Sequence, residues 1–433
     1  MHLFWQRAMY GGFTTVVSQN EKGNNRFCSD YDPTQKTTWL MYLDAVSLYA
    51  STMAGEKYPT GNFQWVTDLT EFDPLAVDCT GDTGYLVEAT FTFPEQMHGY
   101  FADFPPCPVK RPVSAEELSP RSEMLATLLG LDPHQKVKKL VADLHERTNY
   151  VLPLSTLQFV VGLGVELISV TRVMSFSQAP ILAPYLELCL RLRAQSKTKL
   201  ESDILKLAGN SVFGFTLRDC LNELDVRLVY NEKAMSKLIN SPRYEKLKKE
   251  YGDAVSLVFS DTDSIVAKVE KETEDSYSTD LIPKFGDILD TRNYDPSSPH
   301  YSLERKKRPG CFTDELGGRI LEEIVCLKPK SYCCKIKNAP LIIRSEGVPM
   351  STQKLFLFED YKKCLLQGDP KTVEFKRIGR KRQRLYTFSC SKIALSSFEN
   401  KRFWLDTPLY RSLPFGHAAI KTLSSEESQL SRS

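Results

Sequence analysis

The sequence has few histidines and no Cys-x-x-Cys pairs. Six histidines and eleven cysteines occur among 433 residues, and no two cysteines have the Cys-x-x-Cys spacing. Structural zinc sites use closely spaced cysteines and histidines, so we do not expect one here. An odd number of cysteines without a disulfide framework favours reduced thiols, so we expect an intracellular protein.

Long apolar runs and an excess of one charge are also missing. No segment is long and apolar enough to span a bilayer, and the first residues lack the layout of a signal peptide, so we expect no membrane partner. Lys and Arg number 56 against 54 Asp and Glu, so only local basic clusters could indicate nucleic-acid binding. Hydrophobic residues make up 42% of the chain, which is ordinary for a globular protein.

One short stretch, residues 257–266, has the sequence LVFSDTDSIV. Apolar residues flank a polar tetrad, which predicts a β-hairpin with Asp261 and Asp263 at its tip. Two carboxylates this close repel each other unless a cation lies between them, and Mg²⁺ binds to one or two carboxylates together with substrate phosphates. The alternative is a solvated turn, because Asp, Thr and Ser all favour turns.

A second stretch, residues 39–49, reads WLMYLDAVSLY. It predicts a buried strand that ends at Asp44, followed by the start of a helix. The N–H groups of such a turn can bind phosphates. The alternative is that Asp44 is an ordinary N-cap of the helix.

The most helical part of the sequence is residues 180–215, with a second helix from about Leu200 to Gly214. Four positions on that second helix share one face, because they are spaced at helical intervals. This face offers a cation for phosphate, a plane for a base and a gap for close approach: Lys206, Asn210, Phe213 and Gly214. The alternatives are plain solvent exposure for Lys206 and core packing for Phe213.

Other segments carry weaker signals. Gly11 and Gly12 follow Tyr10, and such glycines allow close approach of a backbone to a ligand, although a plain turn is the alternative. Basic runs occur at 305–308, 376–377 and 380–384 and could either be solvated or contact phosphates. We expect a strand at 85–90, a strand pair at 166–176 and a strand within 219–230.

Taken in order, these stretches resemble the motifs of family B DNA polymerases. Residues 44–49 are similar to DxxSLYP, residues 206–214 to KxxxNSxYG, and residues 259–264 to YxDTDS. Residues 327–332 resemble the KxY segment, and residues 9–13 resemble the YxGG segment of protein-primed members. Residues 84–108, 173–184 and 392–417 look most like polymerases of Polinton/Maverick elements and related viruses.

The resemblance implies an α+β fold with right-hand polymerase architecture: a palm with an antiparallel sheet, helical fingers and a thumb, without an exonuclease domain. The implied segments are template contact 1–37, palm 38–60, 166–179 and 216–333, a terminal-region-type insertion 61–165, fingers 180–215, thumb and C-terminal region 334–421, and a disordered tail 422–433.

The resemblance also implies a role for each matching residue. Two Mg²⁺ ions would be held by Asp44, Asp261 and Asp263. The nucleotide would be bound by Ser47, Leu48, Tyr49, Lys206, Asn210, Phe213 and Gly214. DNA would be contacted by Tyr10, Gly11, Gly12, Thr262, Lys330 and Tyr332. The implied partners are template and primer DNA, deoxynucleoside triphosphates and a terminal protein as primer, for a monomeric polymerase.

The sequence departs from the family pattern at several positions. Ala50 stands where the first motif usually has Pro, Gly209 stands where the nearest relatives have Asn, and Met9 stands at the Tyr of YxGG. The segment between Phe215 and Leu257 is shorter than the family norm. Two alternatives therefore stay open: a catalytically inactive, truncated polymerase that binds nucleic acid, and an unrelated Mg²⁺-dependent phosphohydrolase.

Overall fold

The computed structural model describes residues 1–132, 137–216, 255–261, 264–271, 285–308, 310–381, 384–405 and 410–422. Within these ranges, no helix combines the length and apolar character that a bilayer crossing needs. The strand expected within 219–230, the shortened segment and the tail from residue 423 lie outside the described residues.

A six-stranded sheet forms the centre of the fold, with strand order β1-β10-β11-β3-β13-β12. Its strands are β1 (Thr14–Val16), β3 (Thr37–Ala45), β10 (Val255–Asp261), β11 (Ser264–Lys271), β12 (Leu289–Asp290) and β13 (Phe312–Asp314). β10 and β11 pair in antiparallel fashion, which confirms the predicted hairpin pairing. The two residues that connect them, 262 and 263, are not described.

β3 is buried on both of its faces. Leu40 and Tyr42 pack into one cluster, and Met41, Leu43 and Ala45 pack into another on the opposite face. Alternate residues of a strand point to opposite faces, so a strand covered on both sides reads as a continuous apolar run. Asp44 interrupts this run and is half-buried.

A second sheet of four strands has the order β16-β15-β14-β2. Its strands are β2 (Asn20–Lys22), β14 (Leu321–Lys328), β15 (Ser331–Ile336) and β16 (Ile342–Arg344). Tyr332 and Ile324 of this sheet share a core cluster with Tyr42 of β3. The two sheets are therefore joined by a common core.

A third sheet has the order β4-β9-β5-β8. Its strands are β4 (Tyr58–Val66), β5 (Thr83–Thr92), β8 (Arg147–Pro153) and β9 (Glu166–Ala179). The strand pair expected at 166–176 is wrong, because β9 is a single strand of 14 residues. β9 pairs with both β4 and β5, so the segment boundary expected at residue 165 falls within one sheet.

Helices and smaller strand pairs complete the described part. The α-helices are α1 (His2–Arg7), α2 (Leu48–Gly55), α3 (His98–Phe101), α4 (Pro120–Leu128), α5 (Leu154–Gly162), α6 (Ala183–Gln195), α7 (Lys199–Thr216), α8 (Met350–Gln353) and α9 (Phe358–Gln367). The strand pairs are β6 (Val109–Arg111) with β7 (Lys139–Val141), β17 (Lys371–Lys381) with β18 (Arg384–Leu395), and β19 (Phe403–Trp404) with β20 (Ser412–Leu413). α6 and α7 confirm the two helices predicted within residues 180–215.

Candidate functional site

One row of residues crosses the six-stranded sheet and contains two of the predicted metal ligands. Each member lies opposite the next across neighbouring strands: Thr14, Asp261, Ser264, Asp44, Thr313 and Asp290. Neighbouring strands are about 4.8 Å apart, so the backbones of Asp44 and Asp261, two strands apart, are about 10 Å apart. Positions separated by more than 200 residues in the sequence are thus brought into one row. The side chain of Asp261 and the whole of Thr262 and Asp263 lie outside the described residues.

Asp44 is held between two strands, β11 and β13, one residue before β3 ends. The chain then turns through Ser47, which has the left-handed backbone conformation (φ 54°, ψ 36°) and is the N-cap of α2. Asp44 is therefore not the N-cap, and that alternative interpretation is wrong. The first turn of α2, which contains Leu48 and Tyr49, follows Asp44 after the short connection through Ser47.

Arg193, near the end of α6, is a site residue that sequence reasoning missed. Its Nη1 donates a hydrogen bond to Ser47 Oγ. Burial lowers the pKa of Arg193, and the charge of Arg292 lowers it further, whereas Asp203 and Asp44 oppose the shift. The only sequence signal was a basic residue in the last turn of a helix, which is common.

Arg193 belongs to a cluster of three cations, which we call the cation cluster: Arg193, Arg292 and Lys307. Lys307 Nζ donates to Ser202 Oγ of α7 at 2.5 Å, and the Lys307 backbone N–H donates to Asp290 Oδ2 at 2.8 Å. Burial lowers the pKa of Lys307, and the charges of Arg193 and Arg292 lower it further.

Two donors of the cation cluster are buried and make no hydrogen bond to the described residues: Arg193 Nε and Arg292 Nη1. Arg292 Nη1 does lie 3.4 Å from Asp290 Oδ2 in an ion pair. Buried donors of charged groups normally have partners, so this arrangement beside Asp44 suits the oxygens of an anion.

The residues predicted on α7 lie beside α2. Lys206 and Gly214 are exposed, whereas Asn210 and Phe213 are half-buried. The ring of Phe213 lies 4.3 Å from that of Tyr49, centroid to centroid. The structure therefore brings Tyr49 and Phe213 together, and it leaves Lys206 accessible to solvent.

Two residues predicted to hold the primer differ in exposure. Lys330 is exposed in the tight turn between β14 and β15, with a φ of 62°. Tyr332 is only 3% exposed, and its hydroxyl lies 2.7 Å from that of Tyr42. Burial raises the pKa of Tyr332 and raises that of Tyr42 to about 12. Tyr332 thus links the second sheet to β3, two residues from Asp44.

The predicted template contacts are similarly divided. Gly11 and Gly12 are exposed, directly before β1. Tyr10 instead stacks on Tyr150 of β8, with ring centroids 5.2 Å apart and planes inclined by 2°. Burial raises the pKa of Tyr10. The two glycines therefore form the accessible part of this segment.

No group of three or more His, Cys, Asp or Glu side chains suited to a metal ion occurs among the described residues, which exclude Asp263 and the side chain of Asp261. The backbone arrangement nevertheless fits Mg²⁺, because this ion needs only one or two carboxylates when substrate phosphates complete its shell. Asp44 and Asp261 lie in the same row of the sheet, and the cation cluster near Asp44 suits phosphates.

Comparisons with known proteins bear on the fold. No family model matches the chain, and no curated protein sequence matches it. The fold is similar to that of Phi29 DNA polymerase. The structure of this polymerase complexed with primer-template DNA and incoming nucleotide substrates aligns with a TM-score of 0.50 at 16% identity and covers 91% of this chain. An orthorhombic crystal form of the same polymerase aligns with a TM-score of 0.49 at 14% identity over 91% of the chain.

The chain spans 63% of the length of Phi29 DNA polymerase in the first alignment and 62% in the second. At this identity the likeness concerns the fold alone. At the level of the fold, this likeness agrees with the sequence resemblance: the chain has a mixed α/β fold similar to that of a DNA polymerase.

Proposed function

We propose that this chain is a DNA-directed DNA polymerase that extends a primer on a DNA template from deoxynucleoside triphosphates. The observation that carries the proposal is the shared row of Asp44 and Asp261, next to the cation cluster and α7, in a fold similar to that of a DNA polymerase. The protein-primed branch of family B and the right-hand division into palm, fingers and thumb are parts of the same proposal.

Asp44 and Asp261 would hold two Mg²⁺ ions, with Asp263 supporting them. When bound, such ions stabilise negative charge on the attacking and leaving oxygens of an in-line displacement. Asp44 suits this task because its strand is paired on both edges, which fixes its backbone.

The groups that would bind the triphosphate are cationic or donate N–H groups. Lys206 on α7 and Arg193 on α6 would neutralise its charge, and the first turn of α2 from Ser47 to Leu48 would donate to its oxygens. The bond that Arg193 makes to Ser47 would keep the guanidinium beside this turn. The triphosphate would then be oriented so that a primer 3′-hydroxyl attacks its α-phosphorus and pyrophosphate leaves.

The base and sugar of the nucleotide would be selected by side chains of α2 and α7. Tyr49 would crowd the 2′ position of the sugar and so exclude ribonucleotides. Phe213 contacts Tyr49, at 4.3 Å between ring centroids. Asn210 would line the pocket of the new base pair, and the open surface at Gly214 would leave room for it.

The DNA strands would follow exposed polar and basic segments. Gly11, Gly12 and Thr262 would contact the template, and Lys330 would contact the primer. The ribbon of β17 and β18 pairs over eleven residues and carries exposed Lys376 and Arg377, which would contact backbone phosphates of the duplex. Tyr332 would act through Tyr42, because its own ring is buried.

Primer extension tests the proposal. The full chain is incubated with a primed template, Mg²⁺ and the four deoxynucleoside triphosphates, beside Asp44→Asn and Asp261→Asn. We expect extension by the wild type and a loss of at least about 100-fold in each variant, because electrostatic stabilisation of the transition state is worth that much. Asp68→Asn, which removes an exposed carboxylate in a turn, is the matched control and should retain activity.

Other outcomes would identify other functions. Salt-sensitive DNA binding without extension by the wild type would indicate an inactive nucleic-acid-binding chain. Hydrolysis of nucleotides without a template would indicate a phosphohydrolase. Protein priming is tested separately, by transfer of a labelled deoxynucleotide to a protein hydroxyl in the absence of a DNA primer.

A further inference from the structure

A cavity of about 480 Å³ lies beside β1, where four separate parts of the chain meet. Its wall includes Thr14 of β1, Lys139 of β7, Lys328 at the end of β14, and Lys401 in the loop after β18. We call it the lysine pocket. Its volume is within the usual range for pockets that bind small molecules.

The charge of the lysine pocket is positive. Three lysines face one carboxylate, Glu399, which is 8% exposed. Glu399 Oε1 already accepts two hydrogen bonds, from the backbone N–H groups of Asn400 and Lys401, each at 3.0 Å. The single negative charge of Glu399 does not neutralise the three positive charges of the lysines.

Two of the three ammonium groups are held in place by the pocket wall. Lys401 Nζ donates to the backbone carbonyl oxygen of Thr14 at 3.0 Å, and Lys139 Nζ donates to Asn400 Oδ1. Each ammonium group has three donors, so these bonds leave others for a ligand. Burial lowers the pKa of Lys139, and the charges of Lys401 and Lys328 lower it further, whereas Glu399 opposes the shift. An anion in the pocket would relieve this repulsion.

The pocket also lies close to the candidate site. Thr14, in its wall, is paired with Asp261 in the row that contains Asp44. Strands are about 4.8 Å apart, so the pocket begins one strand away from the second aspartate. Exposed Gly12 is part of the same wall. A DNA strand that leaves the row along β1 would meet the three lysines.

We propose that the lysine pocket binds a backbone phosphate of a single-stranded segment of DNA, through Lys139, Lys328 and Lys401. The identification of the ligand as a DNA strand rests on the proposed function. The ability of the pocket to bind a phosphate does not. It assigns a second phosphate site, distinct from the cation cluster that faces Asp44.

The test measures binding of a labelled single-stranded oligonucleotide to the full chain by fluorescence anisotropy, without Mg²⁺, over a series of KCl concentrations. Each phosphate contact to a single strand contributes about 0.7 to the slope of log K against log salt. We expect the double variant Lys139→Gln/Lys401→Gln to have a slope that is shallower by about 0.7, because the phosphate contact is lost. Lys139→Arg keeps the charge and should retain the wild-type slope.

The matched control is Lys57→Gln. Lys57 Nζ also donates to backbone carbonyl oxygens, of Thr80 and Gly81 at 2.9 Å each, but it lies at the start of the third sheet. Equal slopes for the wild type and the double variant would overturn the proposal, as would an equal change in the control. Thermal melting of each variant identifies any that fail to fold, and the single variants Lys139→Gln and Lys328→Gln then replace the double one.

Competition distinguishes the source of the phosphate. If unlabelled dATP or inorganic phosphate displaces the oligonucleotide from the wild type but not from the double variant, the pocket binds free phosphates and the proposal is wrong. Primer extension with the same preparations separates the two proposals. A wild type that fails to extend, with the slope still dependent on the lysines, contradicts only the polymerase function. Normal extension with an unchanged slope in the double variant contradicts only the pocket.

Discussion

Gly209 of α7 lies directly against Ala50 of α2. A Cβ atom added at Gly209 would lie 3.3 Å from the Ala50 Cβ, which is tighter than most such contacts in proteins. Both residues are buried. The close approach of these two helices therefore depends on small residues at both positions.

This contact gives one physical reason for two unusual residues. The family pattern has larger residues, Pro and Asn, at these two positions. A glycine inside a helix costs about 1 kcal/mol relative to alanine, so it needs compensation from packing. Here the compensation is the close packing of α7 on α2, which also brings Phe213 to Tyr49.

Gly209→Leu should therefore separate the two helices. We expect the free energy of unfolding to fall by about 1–3 kcal/mol, the usual range for an overpacked site. Urea denaturation followed by circular dichroism measures the change. Gly214→Leu is the control, because nothing lies within 4 Å of a Cβ at Gly214, and it should leave the stability equal or higher. A loss of stability at Gly214 but not at Gly209 would contradict this account of the packing.

The local elements of the site could be predicted from the sequence. The strand ending near Asp44, the hairpin strands before and after residues 262–263, and the helix bearing Lys206 all follow from short-range patterns. The pairing of β1 with β10, which brings Thr14 opposite Asp261, could not be predicted in this way. The register between strands that are far apart in the sequence depends on packing throughout the core. The hydrophobic periodicity of a single segment does not reveal that register.

The same limit applies to side chains whose role depends on distant partners. Tyr332 was expected to face DNA, but the shared core of two sheets buries it against Tyr42. Arg193 gave no distinctive signal, because its partner Ser47 lies 146 positions away. The segment 166–176 belongs to one strand, β9, and not to a strand pair, because the alternation of apolar and polar residues does not reveal where a strand turns.

The hydroxyl pair of Tyr42 and Tyr332 should contribute to stability as a unit. Tyr332→Phe removes one hydroxyl and leaves that of Tyr42 buried without this partner, which costs about 1–3 kcal/mol. Tyr42→Phe should behave in the same way. The double variant should cost less than the sum of the two, because no hydroxyl is then left behind. Additive losses in a urea-denaturation cycle would show that the two hydroxyls do not interact.

Arg193→Met tests the cation cluster. If Arg193 binds the triphosphate, its loss should raise the KM for deoxynucleotides about 10-fold or more, since hydrogen bonds to charged groups are worth about 1.5–3 kcal/mol. Arg193→Lys should recover only part of this, because a lysine cannot reproduce the guanidinium geometry. Arg191→Met, on the exposed side of the same helix, is the control. A changed kcat with an unchanged KM would argue for a role other than nucleotide binding.

Tyr49→Ala tests sugar selection. If Tyr49 crowds the 2′ position of the sugar, removal of its ring should increase the incorporation of ribonucleotides relative to deoxynucleotides. The measurement is the ratio of kcat/KM for the two nucleotides in single-nucleotide primer extension. Tyr49→Phe keeps the ring against Phe213 and should retain the wild-type ratio. An unchanged ratio in Tyr49→Ala would rule out this role for Tyr49.

His98 and His417 lie close together, and this pair predicts how stability depends on pH. His98 Nδ1 accepts a hydrogen bond from the Ala418 backbone N–H at 2.9 Å, and His98 Nε2 donates to the Phe93 carbonyl oxygen at 3.0 Å. The ring of His417 lies 5.4 Å from that of His98. Burial lowers the pKa of His417, and the charges of His98 and Arg402 lower it further.

Because the pKa of His417 is lower in the folded chain than its ordinary value of 6.5, the unfolded chain binds the proton more readily between these two values. The contribution of His417 to the free energy of unfolding should therefore be constant above about pH 7, and it should fall as the pH decreases below about 6.5. Urea denaturation at intervals from pH 7.5 to 5.5 measures this slope, in a range above the ordinary pKa values of carboxylates. His417→Gln should make the slope shallower, whereas His300→Gln, in a loop elsewhere, should not. A slope that is the same in the wild type and in His417→Gln would mean that another group carries the dependence.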